Sequence, residues 1–361
     1  MININRRILA HFDYLILGIV LILVSISMRL IYEIDSNLTI KQLIYVSVTV
    51  FLSLIIFMLP FKRFIWLIPF YYWFAIILLI SVEFLGVSKY GAQRWIEIPI
   101  LKMSIQPSEI IKSALILMLA YNISNDPPPV DGYRFKKFIK HSFYILLPVI
   151  LVRIQPDLGT SILILIMGYG VLFIAGINKK VITSILVIAI PIIFVAYNNL
   201  QSYQLNRIQQ FLSDKPQHQV KQSMIAIGSG GISGKKQEEA TQARFKFLPV
   251  PESDFIAAYL GERFGFIGMV AVLLLYALLI FHLFTISYAY KNDKMIQVIT
   301  ISVGFLIFYH LSINIAMITK LAPIVGIPLP FFSYGGSSFL TFGIMFAIIE
   351  NLLAFRYEFK A

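Results

Sequence analysis

Residues Phe264 to Tyr288 read FGFIGMVAVLLLYALLIFHLFTISY, an apolar run without a charged side chain. The hydrocarbon core of a bilayer is about 30 Å thick, which a helix crosses in about 20 residues. Backbone left unpaired in lipid is too costly for open structures, so a helix is the expected spanning form. On either side of it, runs of the same character predict about ten spans. They cover Tyr14–Leu30, Leu43–Leu59, Phe64–Phe84, Ser108–Ile123, Ser142–Ile154, Leu158–Ala175, Val181–Asn198, Phe264–Tyr288, Ile296–Ile318 and Ser337–Phe355. The fifth is short and runs into Gln155-Pro156-Asp157, where proline removes a donor. A broken or re-entrant helix is expected there, surrounded by protein or a wet cavity. The predicted fold is all-α: one polytopic membrane domain over residues 1–361 with about ten transmembrane helices. Its largest gap between apolar runs, residues 200–262, is expected to be a large extracytoplasmic loop.

Of the 361 residues 58% are hydrophobic and 13% charged, which excludes a soluble domain. There is no cysteine, so disulfide and thiol chemistry are excluded. A net charge of +12 would suggest nucleic acid in a soluble protein. In a membrane protein the excess of Lys and Arg in cytoplasmic loops accounts for it, and no nucleic-acid partner is expected. Arg6 and Arg7 precede a run too long, and too poor in small-residue cleavage sites, for a removable signal. With the N-terminus inside, the cytoplasmic segments carry Arg6, Arg7, Lys62, Arg63, Arg134, Lys136, Lys137, Lys140, Lys179, Lys180, Lys291, Lys294, Arg356 and Lys360. That pattern predicts both termini in the cytoplasm. Two outer segments are unexpectedly basic: Gly86 to Pro107, with Lys89, Arg94 and Lys102, and the long loop, with Arg207, Lys215, Lys221, Lys235, Lys236, Arg244, Lys246 and Arg263. An anionic ligand or anionic head groups would explain them, as would a solvated basic surface.

Asp254 lies at the junction of this loop and an apolar helix, in Phe247-Leu248-Pro249-Val250-Pro251-Glu252-Ser253-Asp254-Phe255-Ile256. Desolvation there raises a carboxylate's pKa while nearby cations lower it, and a carboxylate so balanced can act as a general base on a sugar hydroxyl. On local sequence alone it fits first as an acid favoured by a helix N-terminus. Gly228-Ser229-Gly230-Gly231-Ile232-Ser233-Gly234-Lys235 admits either close approach to a phosphate or a flexible outer loop. Arg94-Trp95 reads as an interfacial anchor, or as a sugar-stacking and pyrophosphate-flanking pair. Glu109 and Lys112 share a helix face behind Pro107-Ser108, as a structural ion pair or as part of a cavity. Arg153 and Asp157 flank the break at Pro156 and either mark a site or hold the break together. Gly326-Ile327-Pro328-Leu329-Pro330-Phe331-Phe332-Ser333-Tyr334-Gly335-Gly336-Ser337-Ser338 specifies a fixed turn between the last two spans. His11, His141, His218, His282 and His310 have no zinc-site spacing, so no protein-built metal site is expected.

The order of these motifs is informative. Arg94-Trp95-Ile96 comes first, then Gln106-Pro107-Ser108-Glu109 with Lys112 three residues on, then Gln155-Pro156-Asp157-Leu158-Gly159-Thr160. The glycine cluster, Thr241-Gln242, Phe247-Leu248-Pro249 and Asp254-Phe255-Ile256 follow, and the Gly326-to-Ser338 motif closes the series. In that order they resemble the shape, elongation, division and sporulation (SEDS) family of RodA and FtsW proteins, over nearly the whole chain. The modest length looks more like the RodA branch. The chain departs from the family pattern at Glu252-Ser253 (usually His-Thr or His-Asn), Lys236-Gln237 (Gly-Trp), Ala240 (Gly) and Lys320 (Gly).

The resemblance implies a peptidoglycan glycosyltransferase of the inner membrane that serves cell elongation, its active site periplasmic. Lipid II is the acceptor and a growing glycan on undecaprenyl pyrophosphate the donor. Asp254 matches the family's essential aspartate and would deprotonate the acceptor's 4-hydroxyl. The donor brings its own leaving group, so a second carboxylate is not required. Charge on the pyrophosphate must be stabilised, by Arg, Lys or a divalent cation such as magnesium or manganese. Arg94, Lys112 and Arg244 are the candidates, with Trp95 bordering the site and Asp157 and Glu109 holding basic groups in place. The implied partner is a class B penicillin-binding protein. Two further classes fit the same sequence: a lipid II flippase, which predicts charge at mid-membrane, and a non-catalytic scaffold of a cell-wall synthase.

Overall fold

The computed structural model describes residues 12–89, 92–98, 103–185, 217–245 and 247–355, with isolated positions between 187 and 213. Helix α1 spans Tyr14–Ile34 and α2 spans Ser36–Met58. Asp13 opens α1 by accepting from the amides of Leu15 and Ile16, and Asp35 both ends α1 and caps α2. A 3-10 turn over Phe61–Leu67 leads into α3, Ile68–Leu85. Then come α4, Pro107–Asn125; α5, Phe135–Ile154; and α6, Leu158–Gly176. After the gap follow α7, His218–Gly230; α8, Thr241–Arg244; α9, Ile256–Ala289; α10, Lys294–Ile318; and α11, Gly336–Ala354. Seven described segments are long and apolar enough to cross a membrane: α1, α2, Phe61–Leu85, α6, α9, α10 and α11. The expected span Val181–Asn198 is helical at 181–185 and otherwise lies largely outside the described residues.

Helix α4 occupies the middle, packed against α3, α5, α6, α10 and α11. Nearly every residue from Pro107 to Asn122 is buried in protein. This location explains how α4 tolerates Glu109 and Lys112: its polar groups meet neighbouring helices and not lipid. By contrast α2 buries only Gln42 and Thr49 and turns large apolar residues such as Phe51 outward.

Three sequence expectations change. The segment after α3 is not plain loop: Val87–Lys89 (β1), Ala92–Ile98 (β2) and Met103–Ile105 (β3) form an antiparallel sheet in that order, with Val87 opposite Trp95 and Ile96 opposite Ile105. The fifth helix is complete at 20 residues, because its first two turns, Phe135 to Lys140, are basic and escape an apolar search. Its proline break is a turn between two whole helices, and Arg153 is exposed while Asp157 caps α6 at Thr160. Within the segment expected to be the long loop, α7 packs on α9 and α10, and Ser223 donates to the Ile318 carbonyl.

The break in a spanning helix occurs in α9, at Gly265 (φ 63°, ψ −161°). The freed amides of Phe266 and Ile267 donate to the carbonyls of Gly231 and Ile232 at 2.9 and 3.1 Å. Irregular backbone is thereby satisfied by protein. The glycine cluster is this partner. Gly234 has φ +83°, and a Cβ there would lie 2.3 Å from the Arg263 carbonyl oxygen. Gly234→Ala is expected to lower stability by about 2–4 kcal/mol, seen as a lower thermal-unfolding midpoint in detergent. Gly228→Ala, whose methyl meets nothing within 4 Å, should leave the midpoint unchanged or raise it slightly. Equal midpoints for the two variants would refute this role of the turn.

Candidate functional site

Asp254 sits in the turn that enters α9, half-buried, at one end of the bundle. The structure brings this turn against the proline-rich loop between α10 and α11. Tyr334 N–H donates to the Glu252 carbonyl at 2.9 Å, and the Ser333 hydroxyl donates to the Ser253 carbonyl at 2.7 Å. Gly326 backs onto the Asp254 carboxyl: a Cβ there would lie 3.2 Å from Oδ2. Among the described residues, the carboxyl's one side-chain hydrogen bond comes from the Ser253 hydroxyl, at 3.4 Å. Burial pushes the Asp254 pKa up to about 6; the Glu252 charge acts in the same sense and the Ser253 hydroxyl opposes it. Glu252 and Ser253 are thus the departures from the family pattern that directly touch the electrostatics of Asp254.

The proline-rich loop is held from below by four side chains on three helices. Asn314 Nδ2 donates to the Ile327 carbonyl at 2.8 Å, His310 Nδ1 to Pro328 at 2.7 Å and the Tyr276 hydroxyl to Pro330 at 2.6 Å, while the Ser27 hydroxyl donates to Phe332. Buried carbonyls require such partners. Backbone strain gathers in the same region: Val250, Lys320 and Phe331 have φ of 48°, 62° and 61°. Each left-handed non-glycine residue costs about 1–3 kcal/mol and persists where surrounding contacts over-determine it, commonly at functional sites. Lys320 stands where the family pattern has glycine.

The other sequence candidates fall into separate groups. Glu109 and Lys112 pair at 2.7 Å, and Lys112, 1% exposed, also lies 3.3 Å from His310 Nε2. Lys112 is therefore sealed beneath the loop and communicates with it through His310. Arg94 reaches the α5–α6 turn: Nε donates to the Gln155 carbonyl at 3.2 Å, Nη2 donates to the Pro156 carbonyl, and Nη1 stands 3.5 Å from Asp157. Trp95 is half-buried beside it on β2. No hydrogen bond or ion pair among the described residues joins Arg94, Trp95 or Asp157 to Asp254. The sheet and the closing motif do meet, where the Gln106 amide donates to Ser337 at 3.0 Å. Arg244 ends α8; its side chain lies outside the described residues. No group of three or more His, Asp or Glu among the described residues stands together as a metal site.

Sequence reasoning missed His310 and Asn314. A readable signal existed: two polar residues one helical turn apart in an apolar span share a face. It also missed the Glu33 cluster. Arg263 binds Glu33 with Nε at 2.5 Å and Nη2 at 2.9 Å, Tyr259 adds a hydroxyl at 3.1 Å, and Arg29 pairs at 3.5 Å. This bidentate clasp ties α1 to α9 just before its kink.

Residues 5–358 match the FtsW, RodA and SpoVE group described as cell cycle proteins. The chain is 48% identical to peptidoglycan glycosyltransferase MrdB of Helicobacter pylori strain J99, over 98% of this chain and 93% of that one. It is 35% identical to MrdB of Escherichia coli K12, over 80% and 78% of the two chains. Among solved structures, a chain from a study of polymerization and crosslinking by a peptidoglycan synthase complex superimposes with a TM-score of 0.82 at 22% identity, over 96% of this chain and 99% of that one. Rod shape determining protein RodA of Thermus thermophilus gives 0.71 at 22% identity, over 96% and 98%.

Proposed function

The chain belongs to the FtsW, RodA and SpoVE family of cell cycle proteins, and from that premise we propose that it is a peptidoglycan glycosyltransferase that polymerises lipid II during cell elongation. The observation that carries the assignment to a site is the Asp254 carboxyl: half-buried, raised to about 6 and fixed between two stitched loops. Asp254 takes the proton of the acceptor's 4-hydroxyl. The oxygen attacks the anomeric carbon of the donor with inversion, and the undecaprenyl pyrophosphate departs. Arg94 and Arg244 are the cations we assign to the pyrophosphate, with Trp95 bordering the sugar and Asp157 orienting Arg94. Lys112, neutralised by Glu109, supports the site from beneath. A divalent cation, magnesium or manganese, would be held mainly by substrate phosphates, the usual manner for a small hard cation.

The protein is a multi-pass membrane protein. We place it in the inner membrane as one domain, with both termini cytoplasmic and Asp254 periplasmic. Lys62, Lys291 and Lys294 lie at the end of the bundle away from Asp254, where Lys62 pairs with Asp293 at 3.2 Å, and this supports that orientation. A class B penicillin-binding protein is the partner we propose, and the likeness to a chain of a synthase complex supports it.

The test is polymerisation of lipid II by the purified chain, alone and with that partner. Glycan strands are expected. Passage of lipid II across vesicles without polymer would favour a transporter, and absence of both activities would favour a scaffold. A pH series adds a signature. The base works ionised, so with a pKa of about 6 activity should fall about tenfold per pH unit well below that value and level off above about 7. A flat profile between pH 5 and 7 would count against Asp254 as the base.

A further inference from the structure

We propose that Asn314 and His310 are positioning residues for the glycosyl-transfer step: one face of α10 sets the height and aim of Asp254. The proposal rests on Asp254 being the general base. Asn314 and His310 are one turn apart and hold consecutive carbonyls, Ile327 and Pro328, at 2.8 and 2.7 Å. Asn314 Nδ2 also donates to the carbonyl of Asp254 itself at 2.9 Å. A single amide therefore joins the residue carrying the carboxyl to the loop whose Gly326 backs onto that carboxyl. Asn314 is fully buried and its Oδ1 has no hydrogen-bond partner among the described residues. Only Nδ2 can face two carbonyls, so those two bonds dictate the amide's orientation.

His310 completes the device. The Pro328 carbonyl only accepts, so Nδ1 carries the proton. Lysine donates, so Nε2 is the acceptor of the 3.3 Å contact with Lys112, which also pairs with Glu109. The Glu109–Lys112 pair in α4 thereby braces the ring that braces the loop. The physical consequence is geometric: a general base misplaced by about 1 Å can cost about a hundredfold in rate. A second consequence concerns water. If Asn314 no longer clamps the two loops, solvent reaches the Asp254 carboxyl and its burial is relieved.

The test compares Asn314→Leu, His310→Leu, His310→Asn and Asp254→Ala with wild type in lipid II polymerisation, with kcat normalised to folded protein and a pH series. Asn351→Leu serves as the matched control. Asn351 is also a fully buried asparagine whose amide holds the carbonyls of Ile56, Phe57 and Leu59, away from the site. Asn314→Leu should lower kcat about a hundredfold, leave KM within about twofold, and move the acid inflection below 6. His310→Leu should do the same more weakly. His310→Asn, which keeps a donor in the place of Nδ1, should recover most of the rate. Asn351→Leu should lower the unfolding midpoint while kcat and inflection stay put. Wild-type kcat and inflection in folded Asn314→Leu would overturn the proposal, as would equal kinetic changes in Asn351→Leu. Full activity in Asp254→Ala would instead remove the general-base assignment itself.

Discussion

Replacing Asp254 with alanine is expected to slow lipid II polymerisation by about 10²–10⁴-fold, the contribution of a positioned general base, while the protein remains folded. The structure separates the two effects cleanly. What the fold holds at this position is the main chain: the Asp254 carbonyl accepts from Asn314, and the neighbouring carbonyls of Glu252 and Ser253 accept from Tyr334 and Ser333. Alanine keeps all of these. The carboxyl itself takes a long hydrogen bond from Ser253 and sits in a place that disfavours its charge. Its folded-state pKa is above that of an exposed aspartate, so ionisation at neutral pH costs stability, and removing the group relieves that cost. The unfolding midpoint should hold or rise slightly. Turnover within about tenfold of wild type in the folded variant would sink the assignment.

The largest expected effect on stability comes from Lys112→Met. Lys112 and Glu109 are both almost fully buried and 2.7 Å apart, and the second carboxylate oxygen of Glu109 already has no hydrogen-bond partner among the described residues. Removing the lysine leaves a buried carboxylate with no counter-charge, at a cost of about 3–5 kcal/mol. Adding Glu109→Leu should return most of that stability, because two apolar side chains then fill the space of the pair. Thermal unfolding of both single variants and the double variant in detergent measures the coupling. Additive losses would show that the pair does not act as a unit.

Much of the architecture was legible because transfer from water to lipid is a local property of each run. The expected spans Tyr14–Leu30, Leu158–Ala175 and Ile296–Ile318 lie within helices that extend them by four residues or fewer at either end, and Ser337–Phe355 matches α11 to one residue at each end. The start of α5 was missed because Phe135 to Lys140 is rich in lysine, and β1 and β3 because three residues each are too short to show a period. Helix breaks were misread for a different reason. Proline advertises a lost donor wherever it stands, so Pro156 drew the expectation. The actual kink at Gly265 depends on a glycine turn some thirty residues earlier that offers carbonyls to its free amides.

Composition alone was enough to show a helical membrane protein, and the motif order pointed to the family and to Asp254. Those conclusions rest on composition and on residues close together in the chain. What surrounds that carboxyl was set by the packing of distant helices. The Asn314 bond to residue 254 spans 60 positions, the Lys112–His310 contact 198 and the Arg263–Glu33 clasp 230. Contacts of such separation have no local periodicity to betray them. They arise when the apolar faces pack, and the buried polar groups must then find partners among whatever side chains that packing brings within reach.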